Sequence, residues 1–168
     1  MKIINSAPQD VDTILQRYED ATAYQKTVAI KHWRGFERAI VETAIRENRQ
    51  YNIVEDDQIV CVFTLTFNDP YIWKEKDQDP AIYIHRIATH PLFRGRGYTP
   101  AIVGWAKDYA KANGQTFIRM DTGSGNERLN NYYISCGFTY LGITAIDDAG
   151  DLPAHYKNGS FSLFEIRL

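Results

Sequence analysis

The sequence predicts a mixed α/β protein: one sheet with both antiparallel and parallel strand pairs, flanked by helices. Three observations predict it. Strand-like and helix-like hydrophobic patterns follow one another as strand, two helices, three strands, helix, strand, helix, two strands. The three consecutive strands have hairpin-like spacing, whereas the next pair is separated by a helix, which parallel neighbours require. The chain of 168 residues is 44% hydrophobic and 13% aromatic, enough to fill one core. No repeat and no Pro/Gly/Ser-rich linker divides it, so residues 1–168 read as a single domain.

Each element has a local reason. Ile3-Ile4 begins a short strand. Ser6 and Gln9 stand at capping-box spacing with Pro8 between them, ahead of Val11, Ile14, Leu15 and Tyr18 at helical spacing. Phe36, Ala39, Ile40, Thr43 and Ala44 share one side of a second helix, and the stretch from Thr22 to Gly35 fits a helix end or a loop. Tyr51–Glu55 and Ile59–Phe67 read as strands joined at Asp56-Asp57-Gln58, the second apolar on both faces and therefore central. Asn68–Pro80 is polar, with Pro at its end, and reads as a surface loop. Ala81–Thr89 is the next strand. Ile102, Trp105, Ala106 and Tyr109 give one face to a helix over Pro100–Asn113, which Gly114 stops. Thr116–Asp121 is a strand. Asn126 caps a short helix carrying Leu129, Tyr132, Tyr133 and Cys136, and Gly137 ends it. Thr139–Ile146 and Ser160–Leu168 are the last strands.

Composition narrows the function. With 19 basic and 21 acidic side chains the net charge is −2, so no cationic surplus is present to neutralise a nucleic-acid backbone. Cys61 and Cys136 lie outside any C-x-x-C and read as reduced structural thiols; no metal site is expected. The first residues lack the long apolar region of a secretory signal, and no stretch approaches the roughly 18 apolar residues of a membrane span. The expectation is a soluble, cytoplasmic protein that engages neither membrane nor nucleic acid.

The chemistry concentrates between Ile82 and Phe138. A strand runs into Arg94-Gly95-Arg96-Gly97-Tyr98-Thr99, and a helix follows at once. Glycines let backbone approach a ligand closely, and the free N–H groups of a helix start favour an anion such as phosphate. Arg94 and Arg96 add charge there. The run is neither a Walker A loop nor a dinucleotide fingerprint. It resembles the Q/R-x-x-G-x-G/A segment of the GNAT superfamily of N-acetyltransferases, with His90-Pro91-Leu92-Phe93 as the lead-in. Asn126-x-x-Leu129-x-x-Tyr132-Tyr133-x-x-Cys136-Gly137-Phe138 is similar to that family's second helix, which commonly ends in Tyr-x-x-x-Gly-Phe.

The resemblance implies a GNAT-like fold and transfer of an acetyl group from acetyl-CoA to an amine, borne by a small molecule or a peptide. It implies that the amides of Gly95, Arg96, Gly97, Tyr98 and Thr99 hold the CoA pyrophosphate, that backbone groups of Ile87 and Thr89 pair with the pantetheine arm, and that Asn126 and Tyr133 contact the cofactor. Dimers are common in the family. Thr99 departs from the pattern: its β-branched side chain either crowds the pyrophosphate or offers it a hydroxyl. A non-catalytic acyl-CoA sensor on the same fold is one alternative, and an unrelated phosphate- or nucleotide-binding α/β protein another.

An alkylammonium with a pKa near 10.4 is neutral in only about 1 part in 10³ at pH 7, so a base helps. Relatives often place a Glu on the strand before the phosphate loop. Here that strand carries no acid, and His85 stands about where the Glu would be. Strand alternation puts Tyr83, His85, Ile87 and Thr89 on one face and Arg86 on the other. Asp121, ending the next strand, is an alternative base or a ligand for the amine. Tyr133 is the candidate general acid, and Tyr132, about 100° round the helix, is packing. His32, Trp33 and Phe36 are candidates to shape an acceptor pocket. Trp73, Asp77 and Asp79 are candidates to guard it, and His155-Tyr156-Lys157 carries no assignment.

Overall fold

The computed structural model describes residues 1–146 and 156–168; His155 lies outside them. Seven strands form one sheet: β1 (Lys2–Asn5), β2 (Gln50–Glu55), β3 (Gln58–Thr66), β4 (Ala81–Thr89), β5 (Phe117–Gly123), β6 (Thr139–Ala145) and β7 (Ser160–Arg167). Their order is β1-β2-β3-β4-β5-β7-β6. Only β4 and β5 run parallel, and β7 inserts between β5 and β6. Five helices complete the described chain: α1 (Val11–Val28), α2 (Arg38–Arg46), α3 (Pro70–Trp73), α4 (Tyr98–Ala112) and α5 (Glu127–Ser135). Among the described residues no helix is long and apolar enough to cross a membrane.

The central strands are buried on both faces, as β3 foretold. Ile82, Ile84, Phe63 and Ile118 pack under Ile102, Val103 and Ala106 of α4. On the opposite face Val62 and Ala88 meet Val11, Ile14 and Val41 of α1 and α2. The predicted face of α4 is the buried one, with the Trp105 and Tyr109 rings stacked 4.9 Å apart beside Tyr51. The β2–β3 turn is tighter than expected. Asp56 and Asp57 alone make it, both at positive φ (47° and 59°), the conformation a two-residue hairpin needs.

Two local expectations are corrected, and one left open is settled. Ser6 does not cap α1; its hydroxyl donates to Asn52 Oδ1 at 2.6 Å, and Asp10 Oδ2 instead accepts the Ala7 amide at 2.8 Å. The ambiguous stretch is helical to Val28, so α1 is 18 residues long.

The polar segment 68–80 is also not a plain surface loop. It folds into α3 and a 3-10 turn because Ile72 and Trp73 bury themselves against Tyr83 and Leu163. Trp73 lies over the Arg119 guanidinium at 4.7 Å, with Phe117 4.8 Å from the same group. Arg119 is 1% exposed and donates to Glu165 Oε2 (2.8 Å), the Lys76 carbonyl (2.7 Å), the Tyr83 hydroxyl (3.1 Å) and Asp79 Oδ2. Trp73 and Asp79 are therefore committed to holding this segment on the sheet and do not guard a pocket.

Breaking a buried ion pair by removing one partner costs about 3–5 kcal/mol. Because Asp79 is partly exposed, Arg119→Leu is expected to lower stability by about 3 kcal/mol in urea unfolding. A loss below about 1 kcal/mol would contradict the anchoring role.

Candidate functional site

The site arises where β4 and β5 part. They pair only from Ala81↔Phe117 to Tyr83↔Arg119. Beyond that, β4 stays on β3 as far as Thr89, while β5 stays on β7 as far as Gly123. The gap opens into a cleft of about 1050 Å³ whose walls include Trp33, Ile87, Thr99, Asp121, Asn126 and Tyr133.

A bulge shapes the β4 wall. Register with β3 shifts between Val62 and Thr64, and Arg86 takes φ +54°. The extra residue breaks the alternation expected from the sequence. Ile87 packs in the cluster with Ile82 and Ile84. Arg86 lies on the α1–α2 side, 5.1 Å over the Phe36 ring. Ile87 and His85 therefore do not share a face, and Arg86 is not opposed to His85.

At one end of the cleft lies the Gly–Arg turn. Gly95 and Gly97 both have φ +79°, and a Cβ on either would have nothing within 4 Å. Among the described residues, no amide from Arg94 to Thr99 donates to a backbone carbonyl. Those amides surround the N-terminus of α4, a ready anion site. The cradle fits a pyrophosphate: it is open, unpaired and positive. Its side chains are already anchored. Tyr98 donates to Glu55 Oε2 at 2.9 Å, so only its amide is left for a ligand. Arg94 donates to the Asp20 carbonyl at 3.1 Å and lies 4.3 Å over the Tyr24 ring. Arg96 lies 4.5 Å over Phe93. Thr99 is buried and lines the cleft together with Tyr132. Asn126 caps α5 as expected, its Oδ1 accepting the Leu129 amide at 3.1 Å, which leaves its NH₂ group toward the cleft.

The cleft floor holds the titratable groups. His85 Nε2 is 3.0 Å from Thr66 Oγ1, and that hydroxyl also lies 2.9 Å from the Asn68 carbonyl, to which it must donate. Thr66 thus accepts from Nε2–H, leaving the Nδ1 lone pair free, 4.0 Å from Asp121 Oδ1. The ring does not titrate near its ordinary value. Burial first, then Arg86 and Arg49, lowers it to about 3, so it is neutral. Asp121 is 5% exposed at its side chain, and burial pushes it up to about 7.

Asp69, which the sequence reading missed, joins them. Its Oδ2 is buried without a hydrogen-bond partner, and burial, with Asp121 and Asp77 beside it, raises the carboxyl to about 8. Asp77 accepts the Asp69 amide, so like Asp79 it serves the local fold and not an acidic rim. Acceptor atoms of Asp69, His85 and Asp121 all lie within 4.8 Å of one another. An Asp before a Pro signals only a turn; nothing in the sequence couples position 69 to 121.

Both tyrosines of α5 reach the cleft. Tyr133 packs against Phe164 at 5.3 Å, and burial, then Tyr132, raises its phenol so that it stays protonated. Tyr132 is 43% exposed and lines the cleft, against the expectation that it is packing. Trp33 forms part of the wall, whereas Phe36 belongs to the core beside Tyr18, 4.9 Å away. Lys31, also not singled out before, bridges the cleft mouth by donating to Ser124 Oγ (2.7 Å) and Ser160 Oγ (2.9 Å). Burial raises the Cys61 thiol to about 11, which leaves it an inert core group.

These shifts link stability to pH. Asp69 and Asp121 titrate above their ordinary 3.8 when folded, so they keep protons that the unfolded chain has released, and their penalty grows as pH rises to about 8. His85 titrates below its ordinary 6.5 when folded, so its penalty grows as pH falls below 6.5. The two effects oppose one another in acid, and the carboxylates act alone above 6.5. Stability is expected to fall between pH 6.5 and 8, and Asp69→Asn is expected to flatten that fall. Thermal unfolding across this range checks it, and a flat wild-type profile contradicts it.

The geometry has relatives. Residues 10–138 match the profile of the Acetyltransferase (GNAT) family. A curated relative, an uncharacterized N-acetyltransferase YesJ of Bacillus subtilis (strain 168), is 27% identical over 106 residues, 61% of this chain and 59% of its own length. The chain thus spans less than two thirds of that relative. A crystal structure of a GNAT-family acetyltransferase from Listeria monocytogenes superposes with a TM-score of 0.78 at 23% identity, covering 99% of this chain and 94% of that one. A putative acetyltransferase of Salmonella typhimurium, yncA, solved with acetyl-CoA as its cofactor, gives 0.70 at 14% identity, covering 100% and 94%. The parted parallel strands, the open Gly–Arg turn and a profile match over most of the length place this chain in the GNAT acetyltransferase family.

Proposed function

We propose that the protein moves the acetyl group of acetyl-CoA directly to an amine bound in the cleft. The observation that carries this reading is the run of unpaired amides from Arg94 to Thr99 at the start of α4, opening onto a floor that holds Asp121 and Tyr133. Amides of Gly95, Arg96, Gly97, Tyr98 and Thr99, with the charges of Arg94 and Arg96, would hold the pyrophosphate. Backbone groups of Ile87 and Thr89, beyond the last β4–β5 pair, would align the pantetheine arm. Acetyl-CoA supplies a thioester-activated acyl group.

The chain's own groups then divide the proton work. Asp121, at about 7, is the carboxylate matched to accept a proton from the ammonium near neutral pH. His85, at about 3, is too weak a base for that task. The Ile87 N–H polarises the carbonyl oxygen as the C–N bond forms and the C–S bond breaks. Tyr133 gives its phenolic proton to the departing thiolate and regains one from solvent or from the nitrogen of the newly formed C–N bond, which must shed a proton to become the neutral amide.

Two measurements test this. Acetyl-CoA at 100 times its dissociation constant adds about 2.7 kcal/mol of stability, a shift of roughly 5–10 °C, whereas ATP should add little. Gly97→Val should abolish that shift. A Cβ there meets no protein atom, so the fold bears only the left-handed strain, about 1–2 kcal/mol. An equal shift with ATP, or an unchanged one in Gly97→Val, would remove the phosphate cradle. In turnover, Tyr133→Phe should lower kcat about 10²-fold with little change in acetyl-CoA affinity. Asp121→Asn should remove the rise of kcat/KM through pH 7. Normal kcat in the first variant, or a persisting rise in the second, would reassign the role.

A further inference from the structure

We propose that Arg86 binds an oxyanion, so that the acceptor is an amine that also carries a carboxylate or a phosphate. This rests on the acetyltransferase reading and adds a second point of recognition on the acceptor. Beyond the Gly–Arg turn the cleft walls are cationic. Lys31, Arg34, Arg86 and Lys157 line them, against Asp121 and Glu127. The whole chain has the opposite balance, with 19 basic and 21 acidic side chains. Among the described residues none of those four cations forms an ion pair with an acid. Lys31 is held by neutral groups, the Ser124 and Ser160 hydroxyls and the Ser160 carbonyl. Burial raises Asp69 and Asp121 to about 8 and about 7, so the floor offsets only part of this charge. Cations without acid partners along a concave wall attract an anionic ligand.

Arg86 is the member of this group that the fold holds in place. The bulge sets its backbone at φ +54°, and the Phe36 ring centroid lies 5.1 Å from the guanidinium carbon. The ring covers one face of the guanidinium and leaves N–H edge for a ligand. Arg86 is half-buried, and its Nε is buried without a hydrogen-bond partner. Its polar neighbour, the Tyr18 phenol, is neutral and donates to Gln50 Oε1 at 3.2 Å. A half-buried guanidinium with no counter-ion and an unsatisfied N–H is an incomplete site. A carboxylate or phosphate completes it, because two of its oxygens match the guanidinium fork. The phosphates of acetyl-CoA do not meet this need. Their cradle is the N-terminus of α4, which packs on one face of the sheet, whereas Arg86 lies on the α1–α2 face with Phe36 and Trp33. Arg86 also adjoins His85 in sequence, whose Nδ1 is 4.0 Å from Asp121 Oδ1, so an oxyanion here sits beside the floor where the amine reacts.

The test is a calorimetric titration of the chain, with no acyl donor present, against four amines of similar length: 4-aminobutanoate, 3-aminopropyl phosphate, 4-aminobutanamide and 1,4-diaminobutane. The carboxylate or the phosphate should bind about tenfold more tightly than the amide, or better, and the diamine should bind most weakly. The tighter of the two identifies the oxyanion. Arg86→Gln should bring that compound to within about threefold of the amide. Arg86→Lys, which keeps the charge and loses the fork, should fall between the two. A melting-temperature rise with acetyl-CoA in each variant shows that it is folded, and if Arg86→Gln does not fold, the wild-type series with Arg86→Lys decides. Equal binding of the amide and both oxyanions, tightest binding of the diamine, no saturable binding of either oxyanion, or an undiminished preference in Arg86→Gln would each overturn the proposal. Release of CoA from acetyl-CoA is measured separately. Its absence with all four amines would overturn the acetyltransferase reading, while the titration still decides the oxyanion site.

Discussion

The separation of two parallel strands governs this molecule. β4 and β5 share three residue pairs and then diverge, each held by its other neighbour. A parallel sheet that closed fully would bury His85 and Asp121 against each other and leave no room for a ligand. Divergence has two local supports. Below the branch, Arg119 ties β5 to Tyr83, Glu165 and the 68–80 segment, fixing where pairing ends. Above it, the Arg86 bulge turns β4 away while keeping its ladder with β3. The backbone that the gap leaves without a partner strand is what a pantetheine-like arm needs.

The floor of the gap is destabilised for the sake of its chemistry. Two buried carboxylates and a neutral imidazole are costly side by side, and burial raises both acids into the range where they exchange protons near pH 7. The surrounding fold tolerates this because the sheet is clamped on both faces, by α4 on one and by α1, α2 and α3 on the other. Strain concentrated at a site and stability distributed elsewhere is a common division in enzymes.

Most of the architecture was legible in the sequence because it rests on local patterns. Alternation marked the strands, the Ile102–Tyr109 spacing marked α4, and Asn126 and Gly137 bracketed α5. The Gly–Arg turn was legible because positive φ and a helix start are both written in adjacent residues. What failed depends on distant partners. Trp73 looked like a loop residue because the guanidinium it covers is 46 positions away. The faces of Ile87 and Arg86 were misassigned because a bulge is set by pairing with β3 and not by β4's own sequence. Asp69 gave no signal at all, since its meaning comes from Asp121 and His85 across the cleft. His85 lines the cleft, but not with the ionisation expected of it, because burial depth is a property of the whole fold.

One measurement bears most directly on the central claim: mass spectrometry of the products formed from acetyl-CoA, with and without a primary amine such as n-butylamine. The account predicts free CoA and N-acetylbutylamine in equal amounts, with CoA release dependent on the amine. Tight binding of acetyl-CoA with no acetylated product from n-butylamine or from a wider set of primary amines would contradict it. The cleft would then belong to a binding module and not to a catalyst.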